Sequence, residues 1–227
     1  VPNQFACLHQ GKPKGVYMPK VTKCRICESE DLYFFLKLGP TPLANRFIKP
    51  GQENADEPSY PLDICLCKKC YLVQLGFIVP PEILFRDYIY FSSTSSTIRG
   101  HFASLAKEVL ENYALTGDLV VEIASNDGVL LKNMLGKGIR PLGIEPATNI
   151  AKVANDAGIE TLNDFFNSQT AGKILSERGP AKVILANNVF AHIPDLNDCV
   201  MGMERLLHEE GVIIIEFPYL CDLYENL

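Results

Sequence analysis

No run of apolar residues in this chain approaches the roughly 20 that a membrane helix needs, and no signal-peptide pattern opens it. A cytoplasmic protein is therefore expected. Positive charge is also short. The 21 Lys and Arg residues face 27 Asp and Glu, the net charge is −6, and no basic stripe is visible, which argues against nucleic acid or an anionic membrane as partner. Internal repeats and low-complexity tracts are lacking too. What is there is a globular composition: 227 residues, 47% hydrophobic and 21% charged, enough for one ordinary domain and a smaller module.

Eight cysteines could mean disulfides, but their placement points elsewhere. Cys24 and Cys27 form one C-x-x-C and Cys67 and Cys70 another, while Cys7, Cys65, Cys199 and Cys221 stand outside the pattern. Disulfide-stapled secreted domains are usually shorter and poorer in Leu and Ile, and paired C-x-x-C turns in a reducing setting indicate metal. Two such turns complete a tetrahedral Zn²⁺ site of four thiolates with no open position, so the expected zinc is structural. The 39 residues between Cys27 and Cys67 are a longer excursion than in common zinc ribbons. Cys65 shares a strand side with Cys67 but lacks knuckle spacing with Cys70, so it is read as a spare.

Residues 1–17 show no period and read as a loose tail, with Met18 the expected natural start. Residues 18–80 form the zinc-binding domain, and 81–98 (PEILFRDYIYFSSTSSTI) a connector with an aromatic cluster and a Ser/Thr run. From 99 to 227 helix and strand alternate. A helix is expected over 99–115, then strands at LVVEIA, RPLGIEP, IETLND, AKVILANN and GVIIIEFP. Between them, helices are expected at VLLKNMLGKG, ATNIAKVANDAG, FFNSQTAGKILSERG and IPDLNDCVMGMERLLHEEG, and a last one begins at YLCDLYENL. Short apolar strands separated by helices make an α/β, Rossmann-like parallel sheet covered on both faces, which binds ligands at the carboxyl ends of its strands.

The first of these strands ends in Glu122-Ile123-Ala124-Ser125-Asn126-Asp127-Gly128. A dinucleotide site would require G-x-G-x-x-G for close approach of the pyrophosphate. Here Glu122, Ala124, Asn126 and Gly128 give acid-x-small-x-polar-x-Gly, with Ser125 between, and only Gly128 is glycine. That suits S-adenosylmethionine, a ligand without phosphate whose sulfonium and amino groups are cationic. Glu145 ends the second strand and can accept from both ribose hydroxyls. Asn163, Asp164 and Phe165 end the third, an amide and an acid for the adenine edge and a ring for its face. Asn187 and Asn188 end the fourth, beside the methionine moiety.

These residues together resemble the sugar C-methyltransferases that act on nucleotide-linked keto-deoxysugars. The resemblance runs from about residue 22 onward and rests on CRIC, LGPTPLANRF, CKKCYLVQL, YIYFSSTSST, VVEIASNDGVLL, ANNVFAHIPDLND and VIIIEFPYL. It implies an N-terminal zinc-binding domain before a methyltransferase domain that uses S-adenosylmethionine. It also implies methyl transfer to the carbon next to a ketone, through an enolate, which requires a base. His192 matches the family's histidine near the reacting carbon. Tyr88 matches an active-site tyrosine, with Tyr90 the alternative. Two departures stand out. Ala124 replaces the first glycine of the motif, and Leu227 comes before the family's Tyr-His-Glu-His segment and C-terminal domain. The chain as written is thus expected to supply five strands of seven, to bind the cofactor and to turn over little substrate. The alternative reading is a non-catalytic zinc- and S-adenosylmethionine-binding module of the same family. A nucleic-acid-binding zinc ribbon contacting through Lys68 and Lys69 is disfavoured by the net acidity.

Overall fold

In this computed structural model the described residues are 20–48, 50–51 and 57–226. The expected tail and the expected start at Met18 lie outside them. The chain divides between Pro80 and Pro81 into two compact units.

The first unit is an antiparallel sheet of β1 (Leu32–Pro42), β2 (Ser59–Cys67) and β3 (Val73–Leu75), in that order. The pairing of β1 and β2 runs from Leu32 opposite Cys67 to Pro42 opposite Ser59. On β2 the two-residue alternation turns Cys65 and Cys67 inward, and both are fully buried. Tyr60, also buried on β2, packs its ring 6.3 Å from that of Phe77.

The second unit is a five-stranded parallel sheet of β4 (Leu119–Ile123), β5 (Arg140–Ile144), β6 (Thr161–Leu162), β7 (Ala181–Asn187) and β8 (Leu207–Glu216). Its order is β6-β5-β4-β7-β8, which puts β4 at the centre and the change of direction between β4 and β7. Such a switch point opens a crevice at the carboxyl ends. Every residue of β4 is buried. Val120 joins a core with Phe102, Ala106 and Val109 of α2 (Ser96–Asn112), while Val121 faces Ala171 and Ile174 of α4 (Ser168–Arg178) and Cys199 and Met203 of α5 (Leu196–Leu206). Apolar side chains on both faces explain the continuous apolar reading of these strands.

Three local expectations are corrected. The helix expected over 129–138 is a single 3₁₀ turn at Leu131–Met134, because Gly136 and Gly138 take left-handed backbone at φ 70° and 82° and stop it. The helix expected to run to residue 211 ends at Leu206, where Leu207 turns extended to pair with Ala181. The polar residues 208–211 then loop out, since Val183 pairs next with Val212. Helix α2 starts earlier than 99, at Ser96, because Ser95 Oγ accepts from the backbone N–H of Ile98 at 3.3 Å. Two further helices are short or modest: α1 (Pro81–Phe85) and α3 (Thr148–Asp156), with α6 (Leu220–Asn226) after β8. None of the helices is long and apolar enough to cross a membrane, among the described residues.

Candidate active site and metal centre

The turn after β4 is where the sheet's polar atoms collect. Ala124 and Asn126 both take left-handed backbone, at φ 53° and 51°, and Gly128 follows at 73°. Gly128 is required twice over. Its backbone disfavours a side chain, and a Cβ there would meet Ile159 Cδ1 at 2.6 Å. Ala124 carries a Cβ in a conformation that costs an L-residue roughly 1–2 kcal/mol, so replacing the motif's glycine leaves strain as well as one added methyl group.

Three carboxylates converge beneath this turn. Glu122 is 3% exposed, and burial pushes its carboxyl up to about 8, opposed by the hydrogen bond from Asn187 and reinforced by the nearby Glu145 and Asp127. Burial also raises Glu145. Asn187 Nδ2 donates to Glu122 Oε1 at 3.3 Å. Four buried atoms here, Glu122 Oε2, Ser125 Oγ, Asp127 Oδ1 and Asn187 Oδ1, have no hydrogen-bond partner among the described residues. Buried polar atoms without partners are costly, and a cationic ligand bearing N–H groups would satisfy them and favour the ionised form of Glu122. The residues therefore fit S-adenosylmethionine.

Other expected cofactor residues are partly engaged in holding the backbone. Glu145 Oε2 accepts from Asn126 N at 2.9 Å and Oε1 from Ala147 N at 2.8 Å, so one carboxylate fixes the β4 turn and the start of α3. Each oxygen keeps a second lone pair for a hydroxyl. Asn163 Nδ2 donates to the Glu145 carbonyl at 2.8 Å and its Oδ1 accepts from Thr148 Oγ1 at 3.0 Å. Asp164 Oδ1 accepts from Phe165 N at 2.8 Å. The ring of Phe165 carries the Arg86 guanidinium, 4.5 Å from its centroid.

Residues 86–93 run along these strand ends, tied down by two side-chain amides. Asn149 accepts from Tyr88 N at 3.1 Å and donates to Tyr88 O at 2.7 Å. Asn126 accepts from Ser92 N at 2.8 Å and donates to Tyr90 O at 3.0 Å. Asp127 Oδ2 adds a third tie, accepting from Ser93 N at 3.3 Å. Tyr88 then meets Phe85 edge-on at 5.8 Å, and His192, at the end of the 3₁₀ turn Phe190–His192, lies 6.3 Å from the same Phe85 ring. The structure thus brings both expected catalytic side chains to one phenylalanine, whereas Tyr90 contributes its carbonyl to Asn126. Sequence reasoning did not single out Asp127 or Phe85. Asp127 lies inside the polar turn, and its acid next to Asn126 was the available signal; Phe85 carried none beyond its aromatic neighbours.

A separate depression of about 270 Å³ opens at the amino end of the sheet, lined by Leu119, Arg140, Gly158, Glu160 and Arg178. Its charged pair, Arg178 and Glu160, bond each other at 2.5 Å. It lacks the acid cluster and the unpartnered atoms, so the carboxyl end is the site.

In the first unit the four cysteines meet. The Sγ atoms of Cys24, Cys27, Cys67 and Cys70 all lie within 4.8 Å of one another, with Cys24 and Cys70 at 3.5 Å and Cys27 and Cys67 at 3.6 Å. Tetrahedral Zn²⁺ with bonds of about 2.3 Å sets its sulfurs about 3.8 Å apart, so the donor set fits zinc and the spacings are too long for disulfides. The backbone N–H groups of Cys70 and Lys69 hold the Cys67 thiol below its ordinary value against the opposing effect of burial, while burial and the neighbouring thiols hold that of Cys70 above it. Cys65 lies outside the cluster, and burial raises its thiol. The two knuckles share one backbone design. Cys24 N donates to Ser29 O and Glu28 N to Cys24 O, and likewise Cys67 N to Leu72 O and Tyr71 N to Cys67 O. Glu28 and Tyr71 occupy the same left-handed position, at φ 58° and 63°.

Comparison with known proteins agrees with both units. Residues 24–85 match a family described as "Putative zinc binding domain". Over 207 residues, 91% of this chain and 49% of the relative, the sequence is 35% identical to C-methyltransferase NovU of Streptomyces niveus. It is 29% identical over 119 residues to the uncharacterized methyltransferase OB1106 of Oceanobacillus iheyensis, covering 50% of this chain and 52% of that protein. The chain spans about half the length of these curated relatives. Among solved structures, the plantazolicin methyltransferase BpumL in complex with a pentazolic desmethylPZN analog and SAH has a TM-score of 0.47 at 14% identity, over 60% of this chain and 52% of that one. PH0226 protein from Pyrococcus horikoshii OT3 has 0.46 at 15% identity, over 60% and 62%. With its cysteine unit matched to a zinc-binding family and nine-tenths of its residues aligned, the chain is similar to about half of the C-methyltransferase NovU.

Proposed function

We propose that the chain carries the zinc and cofactor units of an S-adenosylmethionine-dependent C-methyltransferase. The acceptor is a nucleotide-linked keto-deoxysugar, methylated at the carbon next to its ketone. The observation that carries this reading is the 35% identity with a C-methyltransferase over nine-tenths of the chain. The acid-rich carboxyl end of the sheet supports it, because three buried carboxyl groups, with four polar atoms unpartnered among the described residues, suit a cationic ligand better than a pyrophosphate. Bound S-adenosylmethionine supplies an electrophilic methyl group. Glu122, Ser125, Asp127 and Asn187 receive its cationic end, with Ala124, Asn126 and Gly128 shaping the turn. Glu145 accepts from the ribose, and Asn163, Asp164 and Phe165 hold the adenine.

His192 takes the proton from the carbon acid, leaving an enolate whose oxygen receives a hydrogen bond from Tyr88. S-adenosylmethionine held by the residues named above would supply the methyl group that the enolate carbon accepts. Zinc has no part in these steps; Cys24, Cys27, Cys67 and Cys70 hold it for structure. The setting that suits this chemistry is the cytoplasm, with a small-molecule partner and neither nucleic acid nor membrane.

Calorimetric titration of the chain with S-adenosylmethionine, S-adenosylhomocysteine and NAD tests the cofactor. The two sulfur ligands should bind and NAD should not; NAD binding of comparable strength overturns the reading.

A further inference from the structure

A metal site assembled from two distant segments needs something besides the metal to hold the halves in register. In this unit the second knuckle follows directly from β2, whereas the first, around Cys24, precedes β1 and lies outside the three strands. We propose that Gln74 is the positioning residue that fixes the first knuckle against the strand pair carrying the second. Gln74 is the central residue of the short strand β3, only 3% exposed, and sits opposite Cys65 in the ladder with β2. Its side chain leaves the sheet and clasps the peptide on both sides of Cys24. Oε1 accepts from the backbone N–H of Arg25 at 3.0 Å, and Nε2 donates to the carbonyl of Lys23 at 3.3 Å.

The segment before the first knuckle pairs with the chain just past β3, where Lys20 bridges Phe77 and Val21 N donates to Gly76 O at 2.9 Å, but that pairing has ended by Lys23 and Arg25, and a buried amide left without partners is costly. One primary amide supplies an acceptor and a donor at the spacing a neighbouring strand would have used, so Gln74 acts as a one-residue strand. Cys24 is thereby held between two fixed peptides, and its Sγ reaches 3.5 Å from Cys70 Sγ. This gives Cys65 a role as well. It lies outside the ligand set, fully buried, and faces Gln74 across the ladder of β2 and β3. Residues that orient metal ligands commonly change metal affinity by 10–100-fold when removed.

The test uses the full chain with zinc and with cobalt in its place. Gln74→Leu fills the space without either hydrogen bond, and Gln74→Glu keeps the acceptor for Arg25 while losing the donor to Lys23. The expected result is zinc release to a chelator about 10–100-fold faster or tighter competition by that factor for Gln74→Leu, and a smaller loss for Gln74→Glu. Cobalt-substituted Gln74→Leu should also show shifted ligand-field bands, a change that general loosening with intact ligation would not produce. Wild-type retention of zinc by both variants, with unshifted cobalt bands, overturns the proposal. Should Gln74→Leu fail to fold, Gln74→Glu alone decides: equal zinc retention and an unchanged cobalt spectrum reject the clasp. A wild-type chain that binds no zinc fails at the first measurement and marks the metal assignment, not the clasp, as the error.

Discussion

The side-chain amide of Asn187 donates to Glu122 Oε1 at 3.3 Å, and Glu122 Oε2 beside it has no partner among the described residues. The pair comes from adjacent central strands, and the carboxyl is fully buried with its pKa raised to about 8 by burial. Between about 4.5, its ordinary value, and about 8 the folded chain keeps this proton while the unfolded chain has lost it. Stability from this group is therefore complete at low pH and falls as pH rises through that window. Without cofactor, Glu122→Gln should be more stable than wild type at pH 8, by something on the order of a few kcal/mol. The difference should close near pH 4.5. Denaturant unfolding at both ends of the range measures it, and a gap that does not change with pH rejects the buried-acid account.

Glu145 should prove a double-purpose residue. Its two oxygens accept from Asn126 N and Ala147 N, so Glu145→Ala removes both the proposed ribose acceptor and a brace of the β4 turn. Cofactor affinity should fall by about 1–3 kcal/mol, and stability of the ligand-free chain by a similar amount. Affinity unchanged in calorimetry would mean that the ribose lies elsewhere.

Metal content should be one zinc per chain. Cys67→Ser should lower it, since Cys67 Sγ lies 3.6 Å from Cys27 Sγ, while Cys65→Ser should leave it intact because Cys65 is outside the cluster. Elemental analysis after growth in zinc distinguishes the two. Chelation of the wild-type metal should loosen the first unit, seen as faster amide exchange across β1 and β2.

Two left-handed residues should welcome glycine. Ala124 sits at φ 53° and the 74%-exposed Tyr71 at φ 63°, so glycine relieves backbone strain and, at Tyr71, loses little packing. Ala124→Gly and Tyr71→Gly should each raise stability by about 0.5–1 kcal/mol. Gly128→Ala should do the reverse, and more strongly, because its Cβ has no room beside Ile159. Melting curves of the three variants settle the order.

Much of this architecture was readable in the chain itself. Val120, Val121, Ile184 and Leu185 belong to runs too apolar for anything but strands buried on both faces, and the C-x-x-C pairs announced their meeting. What escaped was set by backbone geometry. VLLKNMLGKG has the apolar spacing of a helix, but its tertiary role is met by one turn before two glycines reverse the chain. The sequence of HEEG continues a helical pattern, yet Leu207 leaves it to pair with Ala181. At the site, Glu145 and Asn163 were readable as strand-end polar groups, but not as partners for main-chain atoms, because those atoms face them only after the turns have formed. The meeting of Tyr88 and His192 on Phe85 likewise depends on Asn149 and Asn126 holding the intervening stretch.

The matched backbone of the two cysteine knuckles has a consequence for how metal is captured. Each turn is organised by its own main-chain hydrogen bonds, so each is a preformed two-sulfur claw, and the unit behaves toward zinc as a bivalent ligand. Once one claw has bound, the other acts at an effective concentration fixed by the sheet between them, a gain that typically reaches 10²–10⁴ over either claw alone. The chain with Cys67 and Cys70 both changed to serine should therefore hold zinc weaker by about that factor. An insertion that lets the claws drift apart should lose the same avidity while leaving all four sulfurs in place.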